Sequence, residues 1–136
     1  MDNLAIHLAL HGAMVLTVGV VGGLLLHRSI LRDTNQADWH LFHAAASARG
    51  ILLIALAGVI DLVDLKSWLI ATAAWFVIYF VWTSTLAMLI RAYSRETGFR
   101  FAGSKTNKFV YALYASGALV LFPGLLLLAV GFFRAL

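Results

Sequence analysis

Four long apolar runs, Leu4–Leu26, Leu41–Ile60, Trp68–Ile90 and Phe109–Phe133, dominate the chain, with short polar stretches between them. A bilayer core of about 30 Å needs about 20 residues of helix, and each run meets that length. Lipid offers no partner for a backbone N–H or C=O, so a spanning segment must be a helix or a strand of a closed barrel. Barrel strands are short and alternate in polarity; these runs are long and continuous. The pattern predicts an all-α fold, a four-helix transmembrane bundle forming a single domain over residues 1–136.

Within the runs, small residues mark where helices can approach. The first run holds Gly12, Gly19, Gly22 and Gly23, with Gly19 and Gly23 in GxxxG spacing. The second holds Ala44, Ala45, Ala46, Ser47 and Ala48, then Gly50. Lipid provides no hydrophobic drive for helix association, so close backbone approach at such residues is what holds membrane helices together. Four helices of this size make a thin bundle, and a homo-oligomer is expected to supply more buried surface.

Composition agrees with membrane insertion. Only 12% of residues are charged, against roughly 25% in soluble domains. Absence of cysteine excludes disulfides, thiolate metal sites and a cysteine nucleophile. The formal charge of +4 would suggest nucleic acid until the charges are placed. Arg28, Arg32, Arg91, Arg95, Arg100, Lys105 and Lys108 fall in the first and third connections, whereas Lys66 and Arg134 fall at the opposite end. That bias follows membrane topology. It puts the first and third connections in the cytoplasm and both termini outside it, as in a bacterial inner membrane, with no nucleic-acid partner. Met1-Asp2-Asn3 carries no basic leader region and the run after it is too long for a signal peptide, so it is expected to remain as a helix.

Ionisable groups inside the runs carry the candidate chemistry. The segment Trp39–Gly50, WHLFHAAASARG, brings His40, His43 and Arg49 into or beside lipid. A charge at membrane depth costs about 2.5–3.5 kcal/mol on insertion scales and points to function by default. At about 1.5 Å per residue, Arg49 lies roughly 12 Å inside the second span, at the depth of Tyr79, Trp82 and Thr83 on the third. No acidic residue lies in a span core; Asp61 and Asp64 are at the far end of the second span. The partner of Arg49 is then a carbonyl, Tyr79, water or an anionic ligand.

His43 lies one turn inside the second span and shares a face with Ser47 and Gly50. A histidine beside small residues leaves room for a flat ligand, one way in which a helix offers an axial ligand to haem iron. Arg49 projects about 120° away around the helix. His7 and His11, at i, i+4 on the first span, have metal-ligand spacing but no third ligand. His27 and His40 belong to the interface.

Two blocks carry a family resemblance: HGAMVLTVGVVGG, from His11 to Gly23, and HAAASARG, from His43 to Gly50. They resemble the small four-span membrane isomerases, the hydroxylaminobenzene mutase-like proteins and the related styrene oxide isomerases. Chain length and the short first connection are closer to the mutase branch. The resemblance implies a haem b held by His43 between subunits of an oligomer, with ferric iron acting as a Lewis acid on a substrate oxygen. The implied reactions convert an epoxide to an aldehyde, or an aryl hydroxylamine to an aminophenol, without net redox change. A small lipophilic aromatic substrate follows.

Two departures from the family pattern stand out. Arg49 occupies the place of a family asparagine, and a guanidinium only donates and keeps its charge. Three readings stay open: an anionic substrate such as a carboxylate, a haem propionate held by Arg49, or an activity that has been lost or changed. The family tyrosine of the third span has no clear counterpart. Simple alignment puts Met88 near it, and Tyr79 lies nine residues earlier.

These readings together predict an intramembrane isomerase or mutase in which His43 ligates iron while Arg49 and Tyr79 act as catalytic donors. A haem b module for electron transfer or sensing, or a small scaffold subunit, are the alternatives.

Overall fold

The computed structural model describes residues 3–136. Its helices are α1 (Leu4–Leu31), α2 (Gln36–Val59), α3 (Ser67–Ser94) and α4 (Lys105–Arg134), and a 3-10 turn, Ile60–Leu62, prolongs α2. All four are long and apolar enough to cross a membrane, and the described residues contain no strand. The protein is a multi-pass four-helix membrane protein. Met1 and Asp2, part of the argument against a leader, lie outside the described residues.

The helices outrun their apolar runs. α1 continues past Leu26 to Leu31, and α2 starts at Gln36 rather than near Leu41. Extending a formed helix adds one hydrogen bond per residue fixed, so helices continue through the interface. Asp38, which by its place just before the second apolar run and its short polar side chain suits an N-cap, lies instead inside the first turn of α2, and Asn35 takes the cap position. There the Asp38 carboxylate faces the partial positive charge of the helix start and accepts from Arg91 Nε at 2.8 Å.

Glycine sets two close seams. On the α1/α2 seam, a methyl group at Gly12 would come within 2.8 Å of the Gly50 carbonyl oxygen, and one at Gly19 within 2.8 Å of the Ser47 backbone nitrogen. On the α3/α4 seam, Gly117 lies against Thr83 and Phe80, and Gly124 against Phe76. Phe42, Ala46 and Leu53 of α2 and Ala73, Ala74, Val77 and Val81 of α3 fill the core with Leu8 and Val15 of α1.

Polar groups in the spans are mostly satisfied locally. Thr17 donates to the Ala13 carbonyl at 2.9 Å, Thr72 to Trp68 at 2.8 Å and Ser84 to Phe80 at 2.6 Å. Such back-bonding keeps a hydroxyl paired without a second helix. Pro123 lies inside α4, an arrangement tolerated in membrane helices.

The α3–α4 connection is tied to one side chain. Asn107 Oδ1 accepts from the Gly98 N–H at 2.9 Å, and its Nδ2 donates to the carbonyls of Arg100 and Ala102 at 2.8 Å each. Gly98 sits at φ +67°, a left-handed conformation that glycine adopts without a Cβ penalty.

Candidate functional site

The close α1/α2 seam determines what His43 does. Because Gly19 brings α1 against Ser47, its carbonyl oxygen reaches His43 Nδ1 at 2.7 Å. A carbonyl has no proton to give, so Nδ1–H donates. In the neutral ring, Nε2 then carries the lone pair. One turn on, Gly23 lies flat against the ring, where a methyl group would stand 3.1 Å from Cε1 and Nδ1. His43 is half-buried, and Val20, Leu24, Ala44 and Ala48 around it are exposed on the outer face of the pair.

An imidazole whose Nδ1–H is held by a backbone carbonyl is the arrangement that orients histidine as a metal ligand. Its neighbours Gly23, Ala44 and Ala48 are small. Among the described residues no group of three or more His, Asp or Glu could hold a bare metal ion. A single imidazole held in this way is the kind of donor that a group with one protein ligand, such as haem, would need.

Arg49 leaves α2 on a different side. Its Nη1 donates to Met88 Sδ on α3 at 3.1 Å, and its guanidinium carbon stands 5.7 Å from the centre of the Phe80 ring. Tyr114 of α4 lies within electrostatic reach of both Arg49 and Arg91. Carboxylates pair elsewhere, Asp38 with Arg91 and Asp64 with Arg134. Among the described residues Arg49 has no acidic partner, as its sequence context implied. Arg49 and Met88 thus touch each other across the α2/α3 contact.

A cavity of about 460 Å³ opens next to this contact, between α2, α3 and α4. Leu41, Met88, Tyr111 and Tyr114 form its walls, and Arg91 and Phe99 stand at its loop end. Arg91 is stacked 5.5 Å from the Phe99 ring while it holds Asp38.

The other residues placed at the depth of Arg49 do not converge on it. Tyr79 is exposed and donates to Ser116 Oγ of α4 at 3.2 Å. Thr83 donates to the Tyr79 carbonyl at 2.9 Å. Trp82 turns toward α1, where its Nε1–H donates to His11 Nδ1 at 3.1 Å. That bond occupies one nitrogen of His11, whose ring centre lies 6.4 Å from that of His7 and 5.8 Å from Trp75. The pair His7 and His11 is part of an aromatic cluster. His27 and His40 are exposed near the connection between α1 and α2.

Sequence reasoning missed Met88 as the partner of Arg49, Tyr114 beside it, and the bond from Trp82 to His11. A depth count on the fourth run, like that made on the third, would have drawn attention to Tyr114. No sequence signal distinguishes a thioether that meets a guanidinium from one that packs.

No curated protein and no solved structure matches the chain. The family model described as styrene oxide isomerase matches residues 4–133, from the first residue of α1 to the last turn of α4. With all four helices inside that match, the chain belongs to the styrene oxide isomerase family.

Proposed function

We propose that the protein is an intramembrane isomerase that rearranges a small lipophilic aromatic epoxide or aryl hydroxylamine, with haem b held by His43. The observation that carries this reading is the 2.7 Å bond between His43 Nδ1 and the Gly19 carbonyl. It fixes the ring and leaves Nε2 as the ligand atom. Ferric haem bound there would supply a Lewis acid for a substrate oxygen.

The chain's own groups do the remaining work. Apolar walls admit a lipophilic substrate from the bilayer and keep water out. Arg49 offers fixed N–H donors to negative charge that develops on oxygen, and preorganised donors of this kind lower barriers because they need no reorganisation. Opening an epoxide breaks one C–O bond, and a hydrogen shift to the neighbouring carbon leaves an aldehyde of the same composition. No external oxidant or reductant is required.

His43 bonds to α1, Arg49 to α3 and Tyr79 to α4. A homo-oligomer in which neighbouring copies complete the reaction centre is part of this proposal. In that assembly Tyr79 is assigned as proton donor across a subunit boundary.

Purified protein in mild detergent is offered styrene oxide and phenylhydroxylamine without added redox cofactor. One of the two should yield a product of unchanged mass, and His43→Ala should abolish the conversion. No conversion by the wild type, or undiminished conversion by His43→Ala, overturns the proposal.

A further inference from the structure

Arg49 is a half-buried cation at membrane depth with one hydrogen bond, to a sulfur. A guanidinium has five N–H donors, and a thioether is among the weakest acceptors in a protein. Two other helix cations have carboxylate partners: Arg91 has Asp38 at 2.8 Å and Arg134 has Asp64 at 3.7 Å. Arg49 is not itself a wall of the 460 Å³ cavity, but Met88, which occupies Arg49, is, so Met88 stands between the two. That volume lies within the usual range for small-molecule sites, about 300–1,000 Å³, and three aromatic rings, Phe99, Tyr111 and Tyr114, line it.

We infer that this cavity takes an aromatic carboxylate, with Arg49 as its counter-ion. Methionine is unbranched and has three rotatable bonds, so Met88 can swing off Arg49 as the ligand enters. The carboxylate then replaces a weak sulfur contact with paired, charge-assisted hydrogen bonds in the fork geometry of the guanidinium. Arg91 also lines the cavity, but Asp38 at 2.8 Å already compensates its charge, whereas Arg49 has no carboxylate among the described residues. The inference rests on the proposed function for the idea that the ligand is a substrate, and it deepens that reading by giving the substrate a permanent anion. Binding itself needs no iron.

The full chain is placed in phosphatidylcholine nanodiscs, and calorimetry measures binding of phenylacetate, its neutral isostere phenylacetamide, and laurate. Phenylacetate should bind about tenfold or more tighter than phenylacetamide, as expected for a hydrogen bond to a charged group. Arg49→Gln should remove that preference while phenylacetamide still binds. Equal binding of acid and amide by the wild type, undetectable binding of phenylacetate, or a preference that survives Arg49→Gln overturns the inference. Laurate binding tighter than phenylacetate overturns the aromatic class. A preference that emerges only after haem extraction assigns the carboxylate at Arg49 to a haem propionate and overturns the substrate reading. Conversion of neutral styrene oxide without any preference for acids would leave the proposed function standing and remove this inference alone.

Discussion

Replacing Gly19 with alanine tests whether the α1/α2 seam positions His43. The added methyl would lie 2.7 Å from Ser47 Oγ, 2.8 Å from its backbone nitrogen and 3.2 Å from its Cα. The hydroxyl can rotate away, but the backbone cannot. An ordinary contact begins near 3.4 Å, so the helices must part locally by roughly half an ångström. The same displacement stretches the 2.7 Å bond from His43 Nδ1 beyond good hydrogen-bond geometry. Overpacking costs about 1–3 kcal/mol and the weakened hydrogen bond up to about 1 kcal/mol, offset by about 1 kcal/mol of helix propensity gained on replacing glycine with alanine. A net loss of up to about 3 kcal/mol is expected. Thermal unfolding in detergent measures it, and the ¹⁵N shifts of labelled His43 report the loss of the held Nδ1–H. Gly58, where an added methyl meets nothing within 4 Å, is the control, and Gly58→Ala should cost nothing. Wild-type stability together with unchanged His43 shifts in Gly19→Ala would refute the claim that this seam sets the histidine.

Asp38→Ala leaves Arg91, only 20% exposed, without its carboxylate and should cost about 1–3 kcal/mol in the same unfolding assay; adding Arg91→Met should recover part of the loss. Asn107→Ala removes three hydrogen bonds to the α3–α4 connection, and limited proteolysis should cut residues 95–104 several times faster while the helices survive. Since the chain has no cysteine, single cysteines report topology cleanly. Thr97→Cys should react with an impermeant maleimide only from the cytoplasmic side, and Ser67→Cys only from outside; the reverse labelling would overturn the orientation read from the basic connections.

The four helices were legible because insertion in lipid demands long apolar runs, and nothing else in the chain competes with that signal. Their ends were not, because the helix continues where apolarity stops; hence Asp38 inside α2 rather than at its cap. For the site, helical periodicity separated His43 from Arg49, and among the described residues Arg49 meets Met88 rather than a carboxylate. A depth count, however, supplies only one coordinate. Tyr79, Trp82 and Thr83 share the level of Arg49, yet the rotation of α3 sends Tyr79 to Ser116 and Trp82 to His11. Which residue of α3 meets Arg49 depends on how two helices are turned toward each other, and periodicity within one helix does not encode that. The carbonyl that holds His43 was invisible for a similar reason: the small-residue pattern marks where α1 can come close, but not which backbone oxygen then faces the ring.

The central claim is that His43 holds haem b through the nitrogen opposite its bond to Gly19. The absorption spectrum of protein purified in mild detergent from haem-replete cells tests it, wild type beside His43→Ala. The account predicts a Soret band in the wild type and its loss in His43→Ala, with helical circular dichroism retained in both. A wild type without the band, or a band unchanged by His43→Ala, would contradict it.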